Sequence, residues 1–210
     1  MAQQRNSKKR EVIIREASRL FLTKGYAAVL VDEVATNANV SKKTLYNHFE
    51  NKKALLETCV EKFIRDYEQG AEELLGQFYD TVLDKLDAYL RFIGKSFSGA
   101  YLLLWSELKH EVPEIWSEMV HQRQKVLIDH LSTLTRQAIA TGQIKDDGLA
   151  EMAIVMYISS MEQMNDSDYM SRFPDHVQAA LPANIADRAA KALTLLFNGL
   201  LNRQEEYTEV

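Results

Sequence analysis

Helix-breaking residues are scarce in this chain, and their scarcity constrains the fold more than any other feature. The 210 residues include only three prolines and eight glycines. Proline interrupts a helix and glycine weakens it, so a chain poor in both can form long helices. Apolar residues recur at helical spacing along most of the sequence. The sequence therefore predicts an all-α fold of about nine helices.

Charge is distributed unevenly along the chain. Residues 1–53 contain eleven Lys and Arg against five Asp and Glu, whereas the rest of the chain contains fourteen against twenty-five. Phosphate attraction dominates nucleic-acid affinity, so we expect DNA to bind the basic N-terminal part. The sequence offers no apolar signal segment and no uncharged stretch long enough to span a bilayer. We therefore expect a cytoplasmic protein with no membrane partner.

Three helices are predicted at the N-terminus. The first covers about Lys8 to Lys24, and Gly25 is well placed to end it. A short helix follows over about Val31–Asn37, then a turn, and then a second short helix from a Ser41 cap to about Phe49. Two short helices across a tight turn, preceded by a longer one, predict a helix-turn-helix unit.

The side chains of the second short helix suit different contacts on its different sides. At about 100° per residue, Leu45 and Phe49 point toward the first helix. The opposite side carries polar side chains that suit base edges, and the flanks carry side chains that suit phosphates. Those residues are Lys43, Thr44 and Asn47 on the outer side and Tyr46 and His48 on the flanks.

These residues resemble the TetR family of transcriptional regulators. The matching segments are Leu20-Phe21, Gly25-Tyr26, Val31 to Ala35, Val40 to Phe49 and Asn51 to Leu56. The resemblance implies that Tyr46, His48 and Lys52 hold phosphates and that the basic arm before Arg10 reaches further along the duplex. The DNA-binding residues expected on these grounds are Ser41, Lys42, Lys43, Thr44, Tyr46, Asn47, His48 and Lys52.

Three positions depart from the family pattern. Leu30 stands where the second helix usually has a Ser or Thr cap, so we expect that helix either to fray or to be capped by Asp32. Asn39 stands at the turn position where the family usually has glycine. Asparagine tolerates the left-handed conformation better than other non-glycine residues. Lys43, where glycine is common, adds a charge in the groove and leaves the operator sequence open.

Longer helices are predicted after residue 50. We expect a DNA-binding domain over residues 1–50 and an effector-binding and dimerisation domain over residues 51–210. The predicted segments are helices over Asn51–Leu75, Tyr79–Phe97 and Pro113–Thr141, a helix from Asp146 or Asp147 to Met164, a polar loop over Asn165–Pro182 and a last helix over Asn184–Asn202.

The resemblance implies a homodimer that binds palindromic double-stranded operator DNA and responds to a small-molecule effector. It implies dimerisation through the last two long helices, whose small and apolar residues allow close approach. Aromatic and methionine side chains in the middle helices suit a small, largely apolar effector. The predicted ligand-binding residues are Tyr89, Phe92, Tyr101, Trp105, Trp116, Met119, Met152 and Met156.

An alternative function rests on two Glu-x-x-His motifs, Glu107/His110 and Glu118/His121. Metal-dependent helical bundles use this spacing, so a metal-responsive regulator or a helical-bundle enzyme is the alternative. Helical projection places both pairs mainly on polar faces, which argues against an internal metal centre. The favoured interpretation is a repressor, not an enzyme, with no cofactor and no metal. The sequence leaves open the identity of the effector, the sequence of the operator and whether the protein represses or activates transcription.

Overall fold

The computed structural model describes residues 2–96, 101–164, 166–183, 187–188, 191–192 and 195–196. Helices are the only regular secondary structure within these ranges, as the sequence predicts. The helices are α1 Ala2–Ala28, α2 Val31–Asn37, α3 Lys42–His48, α4 Lys52–Leu75, α5 Val82–Ser96, α6 Tyr101–Glu111, α7 Pro113–Ala140, α8 Leu149–Met164, α9 Ser167–Met170 and α10 Asp175–Ala180.

The N-terminal helices lie close to their predicted positions. Helix α1 begins earlier than the predicted Lys8 and includes the basic arm. At Gly25 the backbone has φ 80° and ψ 170°, which interrupts α1 where the sequence predicts its end. Glycine adopts positive φ without the steric cost that a Cβ imposes. Helix α2 has the predicted bounds.

Side-chain caps fix the starts of the later helices. The Asn51 Oδ1 accepts a hydrogen bond of 2.9 Å from the Ala54 amide and so caps α4, which begins at Lys52, one residue after the predicted start. The Thr81 Oγ1 accepts one of 3.0 Å from the Asp84 amide, which is why α5 begins at Val82 and not at Tyr79. The predicted start of the next long helix at Pro113 is also confirmed.

The polar loop predicted over Asn165–Pro182 is wrong, because two short helices, α9 and α10, form within it. The Asp166 carboxylate accepts a hydrogen bond of 3.0 Å from the Tyr169 amide and so caps α9. Pro174 precedes α10, which begins at Asp175. Both are helix-start signals, and they outweigh the polar composition of the segment.

The predicted last helix, Asn184–Asn202, lies largely outside the described residues. Within it, residues 187–188, 191–192 and 195–196 are helical. Arg188 donates hydrogen bonds to the backbone oxygens of Pro182 and Met164, at 2.7 and 2.6 Å.

The chain forms two compact units. Unit 1 contains Met1–Gln69 and Gly99–Arg123, and unit 2 contains Gly70–Ser98 and Gln124–Val210. The boundary predicted between residues 50 and 51 separates a DNA-binding domain from an effector-binding and dimerisation domain. This division by function stays a prediction. None of the described helices combines the length and the apolar composition needed to cross a membrane.

Each unit has its own apolar core. In unit 1 the fully buried side chains come from α1, α2, α3, α4, α6 and α7, and include Leu20, Leu45, Leu56 and Leu108. In unit 2 they come from the end of α4, from α5 and α7, and from the segment before α8. They include Leu86, Tyr89, Ala138 and Ile144.

Candidate nucleic-acid interface

Helices α2 and α3 form the predicted helix-turn-helix within unit 1. The turn between them passes through Asn39, whose φ is 52°. The Val40 amide donates a hydrogen bond of 3.0 Å to the Ala35 oxygen, which closes the turn. The predicted left-handed turn residue is therefore confirmed. Asparagine bears this conformation at lower cost than a branched residue would.

The N-terminus of α2 has no side-chain cap. Leu30 occupies the cap position in an extended conformation and is 66% exposed. The predicted capping by Asp32 is wrong, because the Asp32 carboxylate instead accepts a hydrogen bond from the Lys42 ammonium. That ion pair, with a nitrogen to oxygen distance of 2.8 Å, links the first turn of α2 to the first turn of α3.

Ser41 caps α3 as predicted. Its Oγ accepts a hydrogen bond of 3.1 Å from the Thr44 amide and lies 2.8 Å from the Thr44 Oγ1. The Thr44 side chain is therefore half-buried against the cap, while its neighbours Lys43 and Asn47 are exposed. A helix of only seven residues depends on such a terminal interaction for its stability.

Replacing Ser41 with alanine should lower the free energy of unfolding by about 1 kcal/mol, because the Thr44 amide loses its acceptor. Urea unfolding followed by circular dichroism measures this change. Ser117→Ala, at an exposed position within α7, is the matched control and should leave stability nearly unchanged. Equal stabilities of the two variants would contradict the capping role of Ser41.

The inner face of α3 is buried and its outer face is open. Leu45 is fully buried, Phe49 is 4% exposed, and Val34 on α2 is also fully buried. Lys43 and Asn47 are exposed, and Tyr46 is 44% exposed. The inward and outward sides predicted from the helical projection are those that the structure shows.

The C-terminal end of α3 lies beside the basic arm. The Arg10 guanidinium lies over the Phe49 ring, 5.3 Å from its centroid. Burial, together with the positive charges of Arg10 and Lys9, holds the pKa of His48 below its usual value. In the free protein this favours the neutral imidazole, which can still donate a hydrogen bond from one ring nitrogen.

Two of the predicted DNA-binding lysines have partners within the protein. The Lys42 ammonium bonds to Asp32, and this hydrogen bond raises the pKa of Lys42. The Lys52 ammonium donates a hydrogen bond of 3.2 Å to the Ala27 oxygen and lies 4.4 Å from the centroid of the Tyr26 ring. The Lys42 pair is exposed on both sides, so the ion pair is weak and phosphates can compete for it.

Sequence reasoning missed the contacts that join α6 and α7 to this region. The Glu107 carboxylate accepts a hydrogen bond of 2.9 Å from the Ala27 amide. Lys53 and Glu114 form an ion pair, which holds the pKa of Glu114 below its usual value. Pairs separated by 80 and 61 residues leave no periodic signal in one sequence. The only hint is Gly25, since glycine marks close approach of backbone and side chain.

The predicted effector-binding residues fall into three groups. In unit 1, Trp105 and Met119 are buried and Trp116 is half-buried, and the Trp105 ring packs against Phe63 with centroids 5.0 Å apart. In unit 2, Tyr89 is fully buried and Phe92 is half-buried. Met152 and Met156 are 54% and 50% exposed, and the Tyr101 side chain lies outside the described residues.

The two Glu-x-x-His motifs have different surroundings. Glu107 bonds to the Ala27 amide, whereas Glu118 accepts a hydrogen bond of 2.5 Å from Gln122 in its own helix. Both histidines, His110 and His121, are exposed. Within the described part of the chain, no three His, Cys, Asp or Glu side chains form a group that could hold a metal ion. Nothing therefore supports the metal-dependent alternative.

The sequence and the fold are similar to those of known regulators. Residues 13–59 match the family described as bacterial regulatory proteins, tetR family. The uncharacterized HTH-type transcriptional regulator YhgD of Bacillus subtilis (strain 168) is 24% identical over 140 residues, which are 65% of this chain and 72% of that protein. The HTH-type transcriptional repressor DhaR of Mycobacterium sp. (strain GP1) is 24% identical over 135 residues, 59% of this chain and 68% of that protein.

A crystal structure of a transcriptional regulator from Cytophaga hutchinsonii ATCC 33406 has a similar fold. It matches with a TM-score of 0.72 and 17% sequence identity, over 91% of this chain and 97% of that one. At this identity the likeness concerns the fold alone.

Proposed function

Since the chain belongs to the TetR family of DNA-binding transcriptional regulators, we propose that it is a homodimeric repressor that an effector releases from a palindromic operator. Helix α3 of each subunit enters the major groove of one half-site. The observation that carries this proposal is the outer face of α3, where Lys43, Tyr46 and Asn47 are exposed above a buried inner face. The family places the protein among regulators and not enzymes.

The roles within the interface follow from residue chemistry. Lys43 and Asn47 have the donors and acceptors that read base edges, and they take that role. Tyr46, His48 and Lys52 bind phosphates on the two sides of the groove. The similarity to DhaR, which is named a repressor, supports repression for this chain. A protein that binds chromosomal DNA and has a basic N-terminal part functions in the cytoplasm.

Selection of bound fragments from genomic DNA tests this function. Purified protein should enrich a short inverted repeat, because two identical heads related by a two-fold axis require two identical half-sites. Placing the enriched sequence upstream of a reporter gene should reduce expression when the protein is present. Enrichment of no sequence would refute the function, and increased reporter expression would show an activator.

The dimer is proposed to form through α8. Four large apolar side chains of this helix are exposed in the single chain: Leu149 at 41%, Met152 at 54%, Val155 at 63% and Met156 at 50%. A contiguous apolar surface of this kind on a protein of this size is typical of an interaction site. A second copy of the same helix is a self-complementary partner for it. Leu193 and Leu196 of the predicted last helix are further candidate interface positions; Leu196 is half-buried, and Leu193 lies outside the described residues.

The proposed effector is a small, largely apolar molecule. In unit 2, Tyr89 is buried and Phe92 is half-buried, and these predicted aromatic residues support an apolar ligand. In unit 2, the Tyr89 hydroxyl and the His130 Nδ1 lie 2.9 Å apart and supply a polar group to such a ligand. Met152 and Met156 suit the dimer surface better than a ligand site, because about half of each is exposed.

Effector binding and operator binding should weaken each other equally. If an apolar aromatic compound binds the free protein tenfold better than the operator complex, operator affinity falls by ~1.4 kcal/mol per coupled site. Calorimetric titration of the compound into the protein, with and without operator DNA, measures this coupling. Equal affinities in the two titrations would exclude the compound as the inducer.

A further inference from the structure

We propose that Glu107 is a positioning residue for operator binding, acting through the backbone of Ala27 and the ammonium of Lys52. This inference rests on the proposed operator binding by α2 and α3. Glu107 belongs to α6 and itself has no DNA-binding role, because a carboxylate repels phosphates. Its effect on DNA affinity is therefore transmitted through the residues that it holds.

Both backbone polar groups of Ala27 are held by charged side chains. The Glu107 Oε2 accepts a hydrogen bond of 2.9 Å from the Ala27 amide. The Lys52 Nζ donates a hydrogen bond of 3.2 Å to the Ala27 oxygen. We call this arrangement the Ala27 clasp. Hydrogen bonds to charged groups are stronger than those between neutral groups, so the clasp fixes the end of α1 firmly.

The clasp lies where the chain enters and leaves the helix-turn-helix. Ala27 lies three residues before Leu30, the N-cap of α2, and Lys52 lies three residues after Phe49, the C-cap of α3. The hydrogen bond between Lys52 and Ala27 therefore joins the two ends of the DNA-reading segment. The hydrogen bond from the Ala27 amide to Glu107 connects this junction to α6.

Gly25 allows the Glu107 carboxylate to approach this closely. Its φ is 80°, and a Cβ built on it would lie only 2.3 Å from the Glu107 Oε1. A side chain at residue 25 would thus displace the carboxylate from the clasp. The glycine therefore has a function beyond ending the first part of α1.

The Glu107 charge also acts on Lys52. Burial lowers the pKa of Lys52, whereas the negative charges of Glu107 and Glu111 counteract that effect. The carboxylate thus has a favourable electrostatic interaction with the Lys52 ammonium. A charged Lys52 is what both the hydrogen bond to Ala27 and a phosphate contact require.

Replacing Glu107 with alanine is a decisive test. A role through charge alone and a positioning role predict opposite changes in operator affinity. If Glu107 acted only through its charge, Glu107→Ala would strengthen DNA binding, because a repulsive charge is removed. If Glu107 positions the head, Glu107→Ala should weaken operator binding about tenfold, as expected for loss of a hydrogen bond to a charged group. Fluorescence anisotropy with labelled operator measures the affinity at several salt concentrations.

Two further variants separate positioning from general destabilisation. Glu107→Gln keeps an oxygen that can accept from the Ala27 amide, so its operator affinity should return to within about threefold of wild type. Glu118→Gln alters the matching residue of the second Glu-x-x-His motif and should leave affinity unchanged. The salt dependence of binding should stay that of wild type in Glu107→Gln and Glu118→Gln, in which Lys52 keeps its position.

Amide hydrogen exchange at Ala27, read by NMR, gives an independent readout in the free protein. Exchange there should be at least tenfold faster in Glu107→Ala than in Glu118→Gln. Wild-type affinity in Glu107→Ala, or unchanged exchange at Ala27, would overturn the positioning role. Failure of the wild-type protein to bind any operator would instead refute the proposed function.

Discussion

Replacing Val155 with aspartate is expected to convert the dimer into monomers and to weaken operator binding at least a hundredfold. Val155 is 63% exposed, the largest exposed fraction among the four apolar side chains of α8 that we assign to the dimer. The two-fold axis would place two new carboxylates in the same buried surface. Burying such charges without partners costs several kcal/mol, which exceeds what a modest interface can offset.

Loss of operator binding follows from loss of the dimer. In the dimer, binding of one head holds the second head near its half-site at a high effective concentration. A monomer lacks this advantage and must bind through a single α3. The predicted effect on DNA affinity therefore arises from a residue of unit 2 that has no assigned contact with DNA.

Sedimentation velocity at micromolar concentration measures the assembly, and anisotropy measures the operator affinity. Gln137→Asp adds the same charge at an exposed position of α7 and is the matched control. It should remain a dimer with wild-type affinity. A Val155→Asp protein that still sediments as a dimer would rule out this face as the interface.

Substitutions on the outer face of α3 should change which bases are preferred. Lys43→Ala and Asn47→Ala each remove a side chain that we assign to base edges. Discrimination at one position of each half-site should therefore fall by about 1–3 kcal/mol. Selection from a randomised operator library, followed by sequencing, reports the preference at every position.

Substitutions of the residues that we assign to phosphates should behave differently. Tyr46→Phe removes only a hydroxyl, and it should weaken binding to all sequences without altering their ranking. Lys52→Ala should also weaken binding uniformly and flatten the salt dependence, because a cation is removed. A changed base preference in Lys52→Ala, with none in Asn47→Ala, would contradict the proposed docking of α3.

Several parts of the DNA-reading segment were predictable because their causes are local. The Ser41 cap, the left-handed Asn39 and the interruption at Gly25 each depend on the conformational preferences of one residue and its near neighbours. The burial of Leu45 follows from helical spacing alone. Interactions between residues a few positions apart leave their pattern directly in the sequence.

Two other features were not predictable: the short helices α9 and α10, although their caps are local, and the ion pair between Asp32 and Lys42. The polar segment after α8 contains enough capping residues to form α9 and α10, but four- and six-residue helices carry too few positions for a periodic signal. Capping of α2 by Asp32 was one of two expected alternatives, yet Asp32 bonds to Lys42 across the turn. The possible partners of a charged side chain come close to it only in the folded chain, so the sequence does not show which of them it will bind.

The sequence by itself determined the helical fold, the exposed outer face of α3 and the resemblance to the TetR family. Periodicity, caps and a basic head are properties of neighbouring residues, so one chain displays them without its structure. Only the tertiary structure decided that Glu107, one half of an apparent metal motif, instead accepts a hydrogen bond from Ala27. Such a contact joins residues 80 positions apart, and its partner is chosen by helix packing, which spacing along the chain does not encode.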